Sequence, residues 1–289
     1  MASIARGVAT IPSDEDVVSE RIQEIGEDDL EVDLTHGRLK AIPEVVTSLT
    51  KVEVLSLRQN LIPDMAPLSG LVTLRELDLY DNELTIVAGL GNLTQLTSID
   101  LSFNHITTIS GLEGVVQLKS LFLIQNKISK IENISHFTQL TMLELGANRI
   151  RGLEKLTNLK VLSVQNNRLG KLEGLECLVQ LEELYVSFNG IKTIEGLETL
   201  VNLTTLDLAN NRIKRLQNVS HMLKLEDFWF NNNQLDQWDD LSHLSPITTL
   251  RTVYFEANPI AKDTQYRMKI KRALPCVTQI DATMAPGTA

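Results

Sequence analysis

Residues 96–117 read LTSIDLSFNHITTISGLEGVVQ. The apolar side chains come first as Leu96, Ile99 and Leu101, with Asn104 following, and then as Ile106, Ile109, Leu112 and Val115, before the next block opens at Leu118. Alternation by two places neighbouring side chains on opposite faces, as in a short strand. Spacing by three matches 3₁₀ geometry, in which residues i and i+3 eclipse. The asparagine stands at the switch, where its amide can both donate to and accept from nearby backbone. Losing it would leave buried peptide groups unpaired, at roughly 1–3 kcal/mol each.

The pattern recurs as LxxLxLxxNxL. Its asparagine falls at Asn60, Asn82, Asn104, Asn126, Asn148, Asn167, Asn189, Asn211, Asn233 and Asn258, at intervals of 22, 22, 22, 22, 19, 22, 22, 22 and 25 residues. A degenerate copy, VDLTHGRL, precedes them with Gly37 in the asparagine place. This is the signature of leucine-rich repeats. The two irregular intervals differ from the rest by one triplet each. The short return keeps Ile150, Leu153, Leu156 and Leu159; the long one runs Leu235, Trp238, Leu241, Leu244, Ile247 and Leu250. A structure with three residues per turn can lose or gain a whole turn without losing phase, whereas an α-helical return would not.

The fold class expected is an α/β solenoid: an arc with a parallel concave sheet, 3₁₀-like convex returns and a C-terminal cap. About 11 repeats should span residues 29–260. Residues 1–28 should form an acidic segment, partly disordered, with Val17, Val18, Ile22 and Ile25 as the docking stripe of a helical N-cap. Residues 261–284 should be the cap, with Tyr266, Met268, Ile270 and Leu274 covering the last repeat, and residues 285–289 a tail.

Composition narrows the function. The 289 residues carry a formal net charge of −10, and residues 13–33 hold ten acids against Arg21 alone, so the remainder is nearly neutral. A nucleic-acid face is therefore not expected. No run reaches the roughly 18 apolar residues of a membrane span, and the N-terminus lacks the apolar core of a signal peptide. The distant cysteines, Cys177 and Cys276, fit a reducing compartment, so the sequons at Asn92, Asn133, Asn202 and Asn218 read as products of the frame. His136 and His221 share one frame position and read as solvent-facing repeat residues. There is no metal-ligand spacing, phosphate-cradling loop or isolated carboxylate pair. The expectation is a non-enzyme without cofactor or metal.

The repeat frame also identifies the concave side chains. The central strand-face position runs Asp78, Asp100, Phe122, Glu144, Ser163, Tyr185, Asp207, Trp229 and Tyr254. Around it stand Phe103, Phe188, Asp227 and Glu256. Rings mixed with carboxylates, and almost no Lys or Arg, suggest a contact site for a partner with basic residues.

The segments LTQLTMLELGANRI, LVQLEELYVSFNGIKTIEGL and LANNRIKRLQNVSH, with the C-terminal run FEANPIAKDTQYRMKIKRALPCVTQIDAT, resemble the nuclear leucine-rich-repeat regulatory subunit of type-1 serine/threonine protein phosphatase. The resemblance implies that the concave face grips the phosphatase catalytic subunit. The family contact positions that match are Asp100, Phe122, Glu144, Asp207, Asp227, Trp229 and Tyr254. It further implies a role in phosphatase maturation, on an inactive, metal-deficient form and together with a small inhibitor protein, in nucleus and cytoplasm. The protein alone is expected to be a monomer. The 19-residue interval departs from the family, which carries a further repeat there. The alternative is a spliceosomal or cytoskeletal adaptor of the same repeat class. Residues 251–255, RTVYF, match the basic-x-Val-x-Phe docking peptide of phosphatase regulators, but Val253 and Phe255 hold inward frame positions and should be core. Such a peptide binds as an added strand, which a buried strand cannot do.

Overall fold

The computed structural model describes residues 14–129, 132–148 and 156–287. Eleven short strands repeat along the chain: β1 (Glu31–Asp33), β2 (Val54–Ser56), β3 (Glu76–Asp78), β4 (Ser98–Asp100), β5 (Ser120–Phe122), β6 (Met142–Glu144), β7 (Val161–Ser163), β8 (Glu183–Tyr185), β9 (Thr205–Asp207), β10 (Asp227–Trp229) and β11 (Thr252–Tyr254). Each pairs in parallel with the next, in sequence order, and β12 (Gln279–Ile280) and β13 (Thr283–Met284) close the sheet as an antiparallel pair. Helix α1 (Asp14–Glu24) precedes the array, α2 (Glu44–Thr47) lies in the first return, and α3 (Tyr266–Ala273) follows the last repeat. The molecule is a leucine-rich-repeat solenoid.

The middle residue of each strand faces inward: Leu77, Ile99, Leu121, Leu143, Leu162, Leu184, Leu206 and Phe228 are 0–2% exposed. The returns supply the facing wall. Their backbone amides chain at triplet spacing, Leu93 N–H to Leu90 C=O and Leu96 N–H to Leu93 C=O, the linkage expected of a 3₁₀-like path. Met142 stays opposite Val161 and Asp227 opposite Thr252, so the sheet keeps phase across both irregular intervals. Of the short return, Leu156 and Leu159 are buried, whereas Ile150 and Leu153 lie outside the described residues. The long return coils into a 3₁₀ helix at Trp238–His243. Beside it Phe228, Phe230 and Phe255 pack at centroid distances of 5.6–6.0 Å, larger side chains filling the wider interior. Within that helix Asp240 is 2% exposed and accepts hydrogen bonds from Leu216 N–H and from Arg215 Nε and Nη2. Burial opposes its charge, but the Arg215 guanidinium outweighs that and holds the carboxyl below its ordinary value.

The frame asparagines form a buried ladder. Asn104 Nδ2 donates to the carbonyls of Leu79, Leu101 and Ser102, and its Oδ1 accepts from Leu84 N–H. One amide thus ties adjacent repeats. At the short interval Asn167 Nδ2 still donates to the Leu145 carbonyl, and its Oδ1 is the one buried side-chain polar atom without a partner among the described residues. Gly37 takes the asparagine place because α1 packs there: a Cβ would lie 2.9 Å from both Val18 methyls and 3.0 Å from Asn60 Oδ1. Val18 is 3% exposed, and Ile22 and Ile25 pack on the core.

At the other end Asp281, the residue after the Val253–Ile280 pair, ties the last repeat to the cap. Its Oδ1 accepts from Phe255 N–H, Glu256 N–H and the Tyr266 hydroxyl. Ile270 and Leu274 are buried as expected, but Met268 is 57% exposed. On this short helix it lies two residues from Ile270, on the side turned away from the array. The histidines also differ from the expectation. His136 and His221 are half-buried, and each ring Nε2 is 2.9 Å from a carbonyl of the preceding repeat, Leu112 and Leu197 respectively. They link repeats rather than face solvent. Asn133 and Asn218 likewise donate to Ile109 and Ile194 carbonyls, so these sequon amides are engaged within the fold.

Candidate concave docking surface

The strand faces turned away from the core form one continuous wall, and their side chains separate into groups. At the C-terminal end, the Tyr185 and Trp229 rings are 6.0 Å apart and Trp229 and Tyr254 are 6.4 Å apart, on neighbouring or next-neighbouring strands. All three are half-buried. Phe188, Asp207, Trp229, Tyr254 and Glu256, with Gln165 and Asn231, line an open cleft of 390 Å³. Asp227 lies on the same strand face as Trp229. The Tyr185 hydroxyl donates to Glu183 Oε2 at 2.7 Å. Burial, that hydrogen bond and the charges of Glu183, Asp207 and Asp227 push its phenol well above the ordinary value, so it stays a neutral donor.

In the middle stand Phe122 and Glu144, both half-buried. Burial, and then the charge of Asp100, raise the Glu144 carboxyl. Asp100 is also raised, by burial first and by Asp78, against hydrogen bonds from Ser102 and the charge of Arg58. Like charges held close in a partly desolvated wall are relieved by an incoming cation.

The N-terminal end is built differently. Asp78, Asp100 and Phe103 gather around two residues that the sequence reading did not place in the site's centre, Arg58 and Tyr80. Arg58 Nη1 donates to Asp78 Oδ2 at 3.2 Å, and its guanidinium lies 3.7 Å from the Tyr80 ring centroid. The frame could have found Arg58, which precedes Asn60 by two residues as Tyr80 precedes Asn82.

Phe103 and Phe188 hold the position just before the frame asparagine, where the backbone is left-handed, with φ of 55° and 56°. Elsewhere this place is taken by Asn, Asp, Gln or Ala. A bulky residue there is strained, yet the two rings are 41% and 55% exposed. Exposed rings at a conformational cost to the fold are a mark of contact.

Asp207 departs from its neighbours, being 3% exposed. Its Oδ1 accepts from Ala209 N–H and its Oδ2 from Gln165 Nε2, both at 2.9 Å. The same carboxylate-to-(i+2) bond occurs at Asp33, Asp78 and Asp100. Aspartate at this place therefore serves the strand-to-turn junction as well as the surface. Val253 and Phe255 of the RTVYF segment are fully buried, and β11 is paired on both sides, so this segment is core. Among the described residues no helix is long and apolar enough to cross a membrane, and no cluster of His, Cys, Asp and Glu could hold a metal ion.

Three family models match, described as "Leucine-rich repeat" over residues 176–283, "Leucine rich repeat" over 94–150 and "Leucine Rich repeats (2 copies)" over 72–114. Short stretches are similar to curated proteins. Protein phosphatase 1 regulatory subunit 7 of Xenopus tropicalis is 62% identical over 40 residues, 14% of this chain and 12% of that one. The Homo sapiens protein of the same name is 63% identical over 35 residues, 12% and 10% of the two chains. Protein phosphatase 1 regulatory subunit SDS22 of Schizosaccharomyces pombe is 49% identical over 47 residues, 16% and 14%. The matches thus span about an eighth of each relative's length. Among solved structures, a leucine-rich-repeat protein of Leptospira interrogans superposes with a TM-score of 0.75 at 27% identity, over 84% of this chain and 64% of that one. The functional domain of InlJ from Listeria monocytogenes gives 0.68 at 20% identity, over 87% and 62%, which shows the shared fold.

Proposed function

We propose, on the premise that this chain is a leucine-rich-repeat protein with stretches in common with protein phosphatase 1 regulatory subunits, that it is a non-catalytic scaffold whose concave wall docks the catalytic subunit of a type-1 serine/threonine protein phosphatase and controls its activity or maturation. The observation that carries this reading is the ring ladder Tyr185–Trp229–Tyr254, set in a wall of carboxylates. Aromatic anchors beside a cleft are where binding energy concentrates in an interface. Unpaired acids around them favour a partner presenting Lys or Arg. Glu144, Asp227 and Glu256 are the acids available for this; Asp207 contributes through the oxygen it shares with Gln165. Phe122 extends the surface toward the N-terminal end, where Asp100 lies beside Arg58 and Phe103 packs on Tyr80. A small inhibitor protein as third member, and work in both nucleus and cytoplasm, belong to the same proposal.

The test is capture of the purified catalytic subunit by the full chain, with and without Trp229→Ala and Glu144→Ala. Loss of capture by the Trp229 variant, and weaker capture by the Glu144 variant, is the expected result. Equal capture by all three proteins would remove the concave wall from the docking reading. No capture by the unaltered chain would remove the phosphatase as its partner.

A further inference from the structure

This inference rests on the docking reading and concerns which part of the wall a basic partner can use. The outward strand-face positions of β2 to β11 and the turn residues after them carry one cation among the described residues, Arg58. It is held from several directions. Its guanidinium lies 3.7 Å from the Tyr80 ring centroid, Nη1 donates to Asp78 at 3.2 Å, and Nη1 is 3.9 Å from Asp100 Oδ2. Tyr80 in turn packs on Phe103, ring centroids 4.8 Å apart. An aromatic platform flanked by carboxylates is what a partner's arginine would seek, and here the chain's own arginine fills it. Toward the other end, among the described residues, no Lys or Arg is paired with Glu144, Asp227 or Glu256.

We propose that Arg58 is a specificity determinant of the concave wall: it occupies the place at Asp78, Tyr80 and Asp100 and so confines a Lys- or Arg-bearing partner segment to the wall between residues 144 and 256. An incoming cation at Asp78 must displace a guanidinium that is already tethered, so the exchange gains little. Arg58 also repels any second cation within the roughly 8 Å reach of a charge at physiological salt. Neither effect operates at Glu144 or Glu256. The frame therefore supplies a docking face along its whole length, and one side chain shortens it.

The experiment uses the full chain and nona-arginine as a basic probe, titrated by calorimetry at low and physiological salt. Arg58→Gln removes the charge and keeps a polar side chain; Asp78→Asn is made alone and together with it. The Arg58 side chain is 38% exposed, and a melting curve checks that each variant folds. The expected result is that Arg58→Gln binds roughly three- to tenfold tighter, with a steeper salt dependence. Asp78→Asn alone changes affinity less than about twofold, yet removes the gain when combined with Arg58→Gln. Overturning results are no tightening in Arg58→Gln, or an Asp78→Asn loss in the unaltered background as large as that gain. The same variants are then titrated with the phosphatase catalytic subunit. Failure of the unaltered chain to bind it ends the docking reading and leaves the nona-arginine outcome to decide the role of Arg58.

Discussion

Asp78 and Trp229 hold the same place in the repeat, in the centre of an outward strand face, but their surroundings have little in common. Around Asp78 the acids meet an internal guanidinium, and Tyr80 lies under it. Around Trp229 the rings Tyr185 and Tyr254 flank a cleft in which Asp207 is bonded to Gln165 and Glu256 is left to solvent or to a partner. The underlying frame is identical in both halves: the same asparagine bonds, the same left-handed residue before it, the same triplet return. The difference teaches that in a solenoid the stability of a repeat and its function lie on separate sets of positions, so one half can be closed to partners without altering the scaffold.

The largest effect expected is on that shared scaffold. Asn104→Ala and Asn211→Ala each remove an amide bonded to three carbonyls and to one N–H of the preceding repeat. Each should cost about 3 kcal/mol in urea unfolding. Equal costs in the two halves would sharpen the comparison, whereas a clearly weaker N-terminal half would break it. Asn167→Ala should cost less than either, because its Oδ1 has no partner among the described residues.

Next comes binding. Trp229→Ala should weaken the phosphatase catalytic subunit by about 2 kcal/mol or more, roughly 30-fold, with little change in melting temperature, since the ring is on the surface. Tyr80→Ala should change affinity by less than about twofold in the same calorimeter. Similar losses from both would mean that the halves contribute alike.

A third pair separates strain from use. Phe103→Asn and Phe188→Asn place a residue tolerant of positive φ where the rings now stand, and each should raise stability by about 1 kcal/mol. Only the Phe188 change should weaken docking, because Phe188 lines the Trp229 cleft.

The smallest effect concerns pH. Burial and Asp100 hold the Glu144 carboxyl above its ordinary value. Its folded value thus exceeds its unfolded one, so the ionised form at neutral pH costs stability, and the cost disappears as pH falls through the raised value. Glu144→Gln should therefore stabilise the free protein at pH 7 by less than about 1 kcal/mol, the gain fading as pH drops toward the ordinary carboxylate range. Thermal melts at several pH values check this. A gain that grows on acidification would contradict the assigned direction.

Much of this molecule is legible in one line of residues. Whether a side chain is core or surface depends on local spacing, two in the strand and three in the return, so Leu101, Val253 and Phe255 could be placed inside without coordinates. For the same reason the phase survived both irregular intervals, and the concave position of Phe122, Trp229 and Tyr254 followed from the frame. What the line could not contain are meetings across repeats. The Arg58–Tyr80 stack, the Gln165 bond that buries Asp207, the His136 and His221 links to preceding carbonyls, and the outward turn of Met268 join residues on separate turns or fix a helix face against the array. Such contacts depend on which rotamers fit once neighbouring strands are stacked a few ångströms apart, and that is settled by three-dimensional packing rather than by period. The sequence by itself determined the solenoid and its two faces. The tertiary structure alone decided which acids on the inner face remain open and which are already matched.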